Sequence, residues 1–339
     1  MRSLLSSKWP LNFPAFATEA GSLPAPSRIP LRGLATVFGL AAFTVAAVYG
    51  RHSLAAAPAK LHDLHPVPVA LAAAALLVTL AASAGAWRCA LAAGGAEVRF
   101  REAWGCYGLG SLANAVLPAR LGEAVRIGLF AGRLGRVDRR WLSGGACLAV
   151  AAARGVVYAV TCAAAAAAGL LPGWTLAAPL VAAVAITGAL VIIRTRAPGR
   201  AATLGLAASL RPRAGATLLG WVSVAAGCRL AGAVAVLHAL DVSRPFAAAV
   251  VGLAALAVGS TIPLGPGGAG VAGVGMVLAL AQLGVAPSKA VAAAMAFHAL
   301  ETLASLVFGS SGWVALRTAG KPVAPEVPAR RYLSTGSNL

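Results

Sequence analysis

The sequence predicts an all-α, polytopic membrane protein, with six full spans and two broken-helix hairpins arranged as inverted repeats. Three observations predict it. Of the 339 residues, 59% are hydrophobic and only 11% charged, with a mean hydropathy of +0.82, outside the usual range of soluble domains. Several stretches run for about 18 residues or more without a charge, enough helix at about 1.5 Å per residue to cross a hydrocarbon core of roughly 30 Å. Two further apolar regions are interrupted near their middles by Pro and Gly.

Residues 1–32 contain Arg2, Lys8 and several Pro with no continuous apolar run, and read as a disordered cytoplasmic tail. The transmembrane domain is expected over 33–316, with full spans near 33–50, 67–87, 141–170, 173–193, 215–240 and 288–316. Region 103–134 is broken by "NAVLPARLGE" and region 246–285 by "GSTIPLGPGGAG". Each half has fewer than about 20 residues, too short for an upright span, so each region is predicted to be two half-helices meeting at a turn. Residues 317–339 form a second cytoplasmic tail.

Loop charge supports the hairpins. If each broken region returns to the side it left, twenty Lys and Arg share one face, in 1–32, 88–102, 133–140, 194–213 and beyond 316, and only Arg51, Lys60, Arg244 and Lys289 lie on the other. The richer face is then cytoplasmic, with both termini on it, and the protein is placed in the cytoplasmic (inner) membrane. A single crossing in place of either hairpin would scramble the division. Trp87, Trp141, Trp174, Trp221 and Trp313 fall near span ends, where an indole favours the membrane interface.

The same map contains a repeat. Span, hairpin and span over about 67–170 are matched in order over about 215–316, and "GLGSLANAVLP" is echoed by "LAVGSTIPLGP". An odd number of crossings separates the two starts, so the units face opposite ways. Inverted units with discontinuous helices are a transporter design whose binding site lies at the repeat interface.

A backbone N–H or C=O without a partner in hydrocarbon is expensive, so a break survives only where protein or trapped water satisfies it. Ser111 and Asn114 suit that repair in the first hairpin, and Ser260 and Thr261 in the second. Pro118, Gly122, Pro263, Gly265, Pro266, Gly267, Gly268 and Gly270 form the breaks, and the glycines expose amides at a half-helix N-terminus, which attract anions. Gly273 and Gly275 read equally well as close-packing residues.

Arg154, Arg229 and Glu301 lie near the middles of long spans, and Arg120, Glu123 and Arg126 flank the first break. At roughly 2.5–3.5 kcal/mol each, six such groups facing lipid would cost on the order of 15–20 kcal/mol. That matches or exceeds a typical folding stability of about 5–15 kcal/mol, so they must face one another or a wet cavity. Glu123 and Arg126 are three apart and can pair, with Glu123 near a half-helix N-terminus. His298 and Glu301 share that spacing, although His298 reads equally well as a packing residue. Four Arg against two Glu leave the interior positive, which a phosphate headgroup would balance. The candidate binding residues are Asn114, Arg120, Glu123, Arg126, Arg154, Arg229, His298 and Glu301.

Other classes find little support. The net charge of +19 is spread over loops rather than gathered on a water-facing module, which speaks against nucleic acid. Cys89, Cys106, Cys147, Cys162 and Cys228 show no ligand spacing and read as buried free thiols, and the loop set Arg51, His52, His62, Asp63 and His65 has no metal pattern. No hydrolase, zincin or phosphate-loop motif and no two carboxylates in one membrane layer are present, so no enzyme activity, no metal and no cofactor are expected.

The segments "GSLANAVLPARLGEAVRIGLFAGRLG" and "GSTIPLGPGGAGVAGVGMVLALAQLGV", with the central Arg154, resemble the lysylphosphatidylglycerol synthase transmembrane family of flippase-like proteins. The resemblance spans roughly 33–316 and rests on the paired motifs N-x-x-L-P-x-R-x-G-E and P-x-G-P-G-G-x-G. It implies translocation of aminoacylated, glycosylated or polyprenyl lipids, with Asn114, Pro118, Arg120, Gly122, Glu123, Arg126, Arg154, Pro263, Pro266, Gly267, Gly268 and Gly270 as the functional core. Where many relatives have an aromatic residue followed by Arg, this chain has Phe297 and His298, which bears on headgroup preference. Only 23 residues follow position 316, so the soluble synthase activity of bifunctional members is expected to be absent. The expected partner is a membrane lipid with a phosphate headgroup, alongside lipid-modifying enzymes of the envelope. The alternatives are secondary transport of a small anion and a non-transporting scaffold.

Overall fold

The structure is a computed structural model that describes residues 64–116, 121–134, 139–171, 211–259 and 269–318, with a few isolated positions between 180 and 188. The spans expected near 33–50 and 173–193, residues 1–32 and 319–339, and Trp174, Pro118, Arg120, Ser260, Thr261, Pro263, Gly265, Pro266, Gly267 and Gly268 lie outside the described residues. Within the described residues all regular structure is helical. The eight helices are α1 (Pro66–Ala93), α2 (Phe100–Val116), α3 (Leu121–Arg133), α4 (Arg139–Ala167), α5 (Pro212–Ala239), α6 (Pro245–Gly259), α7 (Ala269–Gln282) and α8 (Pro287–Thr318).

Four of them, α1, α4, α5 and α8, are 28–32 residues long and apolar enough to cross a membrane. The other four come as two pairs, with 17 and 13 residues in α2 and α3 and 15 and 14 in α6 and α7, where the sequence predicts hairpins. Helices α1, α5, α6 and α8 each begin on a proline, whose missing N–H falls where the helix has no carbonyl to receive it. Gly95 and Gly284, at φ of 79° and 78°, turn the chain after α1 and α7 in a conformation that a Cβ disfavours.

Contacts at the helix ends fix the directions. At one end the Cys89 thiol of α1 meets the Ala214 carbonyl of α5, Glu102 of α2 meets Arg133 of α3 at 3.8 Å, and Arg133 also donates to the Leu316 carbonyl of α8. Helices α2 and α3 therefore return to the end they start from. At the opposite end His65 approaches Asp241 at 3.9 Å, and Lys289 donates to the Asp241 carbonyl. Short links join α5 to α6 and α7 to α8 at that end, so the second hairpin opens opposite to the first. Arg88, Arg99, Arg101, Arg133, Arg140, Arg211, Arg213 and Arg317 crowd the first end, against Arg244 and Lys289 at the other.

Small residues set the close approaches. Helices α2 and α8 meet through Gly105, Gly108, Gly309 and Gly312, and a Cβ on Gly108 would stand 2.8 Å from the Phe308 carbonyl oxygen. Along the antiparallel α1–α5 pair the Trp221 ring fills the space beside Gly85, and the Thr79 hydroxyl donates to the Ala75 carbonyl and towards the Ala225 carbonyl at 3.3 Å. Gly275 brings α7 against the Ala255 carbonyl, as a packing residue would, whereas nothing among the described residues would meet a Cβ on Gly273 within 4 Å.

Several expectations are corrected. Trp87 is not an interfacial ring: it is 1% exposed and stacks on Phe130 at 4.9 Å and 7°. It belongs to the core, and α1 continues past the expected end at residue 87 to Ala93. Trp141, Trp221 and Trp313 do keep exposed edges. Of the five cysteines all are free, but only Cys106 is fully buried, since helical thiols also sit on half-covered faces.

Candidate functional site

Six helices, α1 to α5 and α8, contribute described residues to a cavity of about 290 Å³. Asn114, Glu123, Arg126, Arg154, Arg229, His298 and Glu301, chosen from sequence on five different helical stretches, all line it. Gly122 lies in the first turn of α3 and Gly270 in the first turn of α7.

Arg126 is 3% exposed and almost fully engaged. Its Nη1 donates to both Glu123 oxygens at 2.8 Å, its Nη2 donates to Ser111 Oγ at 3.2 Å, and its guanidinium stacks over Tyr107 at 4.0 Å and faces Trp87 at 5.7 Å. The Ser111 hydroxyl is aimed by its own bond to the Tyr107 carbonyl. Gly110 makes the space: a Cβ there would stand 2.8 Å from Arg126 Cβ and 2.9 Å from its Nε. Beside it a Cβ on Gly122 would overlap Asn114 Oδ1 and the Gly110 carbonyl. Glu123 in the first turn of α3 complements both the guanidinium and the positive end of the helix dipole.

Arg229 of α5 ties two other helices together. Its Nε and Nη2 reach Glu301 Oε1 of α8 at 2.8 and 2.7 Å, its Nη1 donates to the Tyr158 hydroxyl of α4 at 3.3 Å, and the guanidinium lies 5.8 Å from the Phe297 ring. The spacing that offered His298 as a neighbour of Glu301 is real, but the carboxylate pairs across the bundle with a guanidinium instead. Arg154 of α4 differs from both. It lines the cavity, and among the described residues it has no hydrogen bond and no ion pair.

Two sequence inferences change. Glu123 and Glu301, read as lying in separate layers, line the same cavity, to which the α2–α3 hairpin and α8 both contribute. The described charge balance is three Arg against two Glu, Arg120 being outside the described residues. Sequence reasoning missed Tyr107, Tyr158, Gly110, Thr302 and Ser305. The tyrosines had a signal: the chain has only four, and these two interrupt apolar helices. Among the described residues no group of three or more metal-ligating side chains occurs.

A bundle of long apolar helices and two short-helix pairs around a charged interior cavity defines a polytopic helical membrane protein. Residues 32–309 match the lysylphosphatidylglycerol synthase transmembrane region, and the chain belongs to that family. Membership makes it a membrane protein of lipid metabolism or transport. No curated protein matched the chain.

Proposed function

We propose that the protein is a flippase-like transporter that moves a lipid with an anionic or phosphate-linked headgroup across the cytoplasmic membrane. One observation carries the proposal: Arg154, which makes no hydrogen bond or ion pair among the described residues, lines an interior cavity while its two neighbours are held by Glu123 and Glu301. A cation in an apolar interior is costly, and a phosphate headgroup is the anion that a bilayer supplies most readily. Guanidinium geometry suits phosphate oxygens, and the apolar chains of such a lipid would remain outside among the bilayer tails.

Two hairpins that open towards opposite ends support an inverted-repeat architecture, in which the two halves expose the cavity alternately. The arginine-rich end is then cytoplasmic, with both termini on that side. The chain performs no covalent chemistry in this reading, and the lipid arrives from or passes to modifying enzymes of the envelope.

Reconstitution tests the proposal. Vesicles holding the protein are expected to translocate labelled anionic lipids faster than empty vesicles, and Arg154→Gln to lose that advantage at equal incorporation. Rates equal to those of empty vesicles over a panel of anionic lipids would remove transport of lipid. Uptake of a small anion without lipid movement would assign the cavity to a secondary anion transporter.

A further inference from the structure

The two tyrosines of the cavity are used differently. The Tyr107 ring lies beneath Arg126 and its hydroxyl hydrogen-bonds with Ser83 of α1, so that side chain is taken up by the protein. The Tyr158 oxygen accepts one hydrogen bond, from Arg229 Nη1 at 3.3 Å, and its own hydrogen is donated to no acceptor among the described residues. Two acceptors in the same cavity, Asn114 Oδ1 and Glu301 Oε2, are also without a hydrogen bond among the described residues, and neither receives it. Tyr158 and Arg154 are four residues apart on α4, neighbours on one helical face, and both line the cavity. A hydroxyl hydrogen and a guanidinium without protein partners thus border one space from one helix.

Resting on the lipid-handling reading above, we infer that Tyr158 is a second ligand-binding residue, which donates its hydroxyl hydrogen to an oxygen of the same phosphate that Arg154 meets. A hydroxyl that accepts from a cation is polarised and donates more strongly, all the more where water is scarce. Arg229 supplies that polarisation without leaving its carboxylate, since Nε and Nη2 stay on Glu301 Oε1 at 2.8 and 2.7 Å while Nη1 reaches the phenol. Arg229 is therefore a positioning residue, and it acts on the ligand through the phenol it aims. The contact brings no charge of its own, so it holds whatever the net charge of the cavity, and it suits the oxygens of a phosphomonoester and a phosphodiester alike. It adds direction to the attraction of Arg154: a guanidinium draws any anion, whereas a fixed O–H four residues along the helix requires an oxygen at one further place. Lipid headgroup and free phosphate share that chemistry.

The test is a binding series on delipidated full-length protein in mild detergent, read by native mass spectrometry. The probes are short-chain phosphatidylmethanol, whose headgroup offers phosphate oxygens and no hydroxyl, and the matching diacylglycerol as the phosphate-free control. The unmodified protein is expected to prefer the phospholipid, and Tyr158→Phe to weaken that binding about tenfold, the worth of one hydrogen bond to an anion, with diacylglycerol binding unchanged. Both Glu301 contacts of Arg229 survive that substitution, so thermal unfolding should stay close to that of the unmodified protein. Tyr158→3-fluorotyrosine keeps the hydroxyl and makes it a stronger donor and a weaker acceptor; at mildly acidic pH, where the phenol stays protonated, phosphatidylmethanol should bind more tightly, whereas a phenol that served only Arg229 would give no gain. Tyr158→Phe protein that binds phosphatidylmethanol as tightly as the unmodified protein, or fluorinated protein that binds it no more tightly, overturns the inference. If Arg154→Gln still weakens binding in that case, the anionic-lipid reading stands without it. An unmodified protein with no preference for phosphatidylmethanol over diacylglycerol would sink that reading and this inference together. Where Tyr158→Phe does weaken phosphatidylmethanol, competition by inorganic phosphate supports the contact with a soluble anion as source, and lack of competition supports it with the lipid headgroup as source. Binding that depends on Tyr158 without any translocation would sink the transport proposal and leave this inference standing.

Discussion

Replacing Gly108 by Ala probes the α2–α8 seam on which the cavity depends. The added methyl would stand 2.8 Å from the Phe308 carbonyl oxygen, 3.1 Å from Phe308 Cδ1 and 3.3 Å from Gly309 Cα. Two of these neighbours are backbone and cannot rotate away, so the helices must part by several tenths of an ångström. Overpacking of this kind costs about 1–3 kcal/mol, with backbone partners at the upper end. Against it stands the gain of about 0.5–1 kcal/mol from Ala over Gly within a helix. The net expectation is a loss of about 1–2 kcal/mol. Gly128 and Gly144 supply the contrast, since a methyl at either meets nothing within 4 Å among the described residues, and their Ala variants should gain about 0.5–1 kcal/mol. Equilibrium unfolding in mixed detergent micelles measures all three on one scale. A Gly108→Ala protein as stable as the Gly144→Ala protein would refute the reasoning, because the two substitutions are chemically identical and differ only in what the methyl meets.

Glu301→Gln leaves Arg229 with the Tyr158 hydroxyl and a neutral amide; with 21% and 28% of the two side chains exposed to the cavity, the expected loss is about 2 kcal/mol, between the exposed and fully buried limits, and a double-mutant cycle with Arg229→Gln should show coupling of that size. Arg154→Met should abolish translocation while the fold keeps or gains stability in thermal unfolding, since it removes a buried charge with no hydrogen bond or ion pair among the described residues, and a large destabilisation would mean that the guanidinium is structural. Phe130→Ala empties a fully buried site stacked on Trp87 and should cost about 3–5 kcal/mol by the same unfolding assay. Cysteine placed at Arg99 should be labelled only from the cytoplasmic side and cysteine at His65 only from the other, and the reverse pattern would invert the proposed orientation.

The hairpins were legible because Pro and Gly in the middle of an apolar run leave segments too short to cross a membrane. The ionic residues were legible for a related reason: a bilayer tolerates them only when they converge, so their depth in the sequence already implies a shared interior. Their pairing was not legible. Glu301 finds Arg229 some 72 residues away, and no local spacing distinguishes that partner from His298 one turn earlier. Nor could the sequence separate Gly108 from Gly144 among 39 glycines, because the difference is what lies opposite on another helix. Trp87 misled because an indole near a helix end has two uses, at the interface or in the core, and only the position of Phe130 decides between them.

The glycine seam also bears on biogenesis. Gly105 and Gly108 find their mates at Gly309 and Gly312, which leave the ribosome roughly two hundred residues later, or about 10–40 s at typical synthesis rates of about 5–20 residues per second. During that interval the first hairpin has emerged without the surface that completes it, its buried arginine shielded by local partners alone. The nascent chain must therefore shelter this hairpin, at the translocon or with an insertion chaperone, until the last helix arrives to close the bundle.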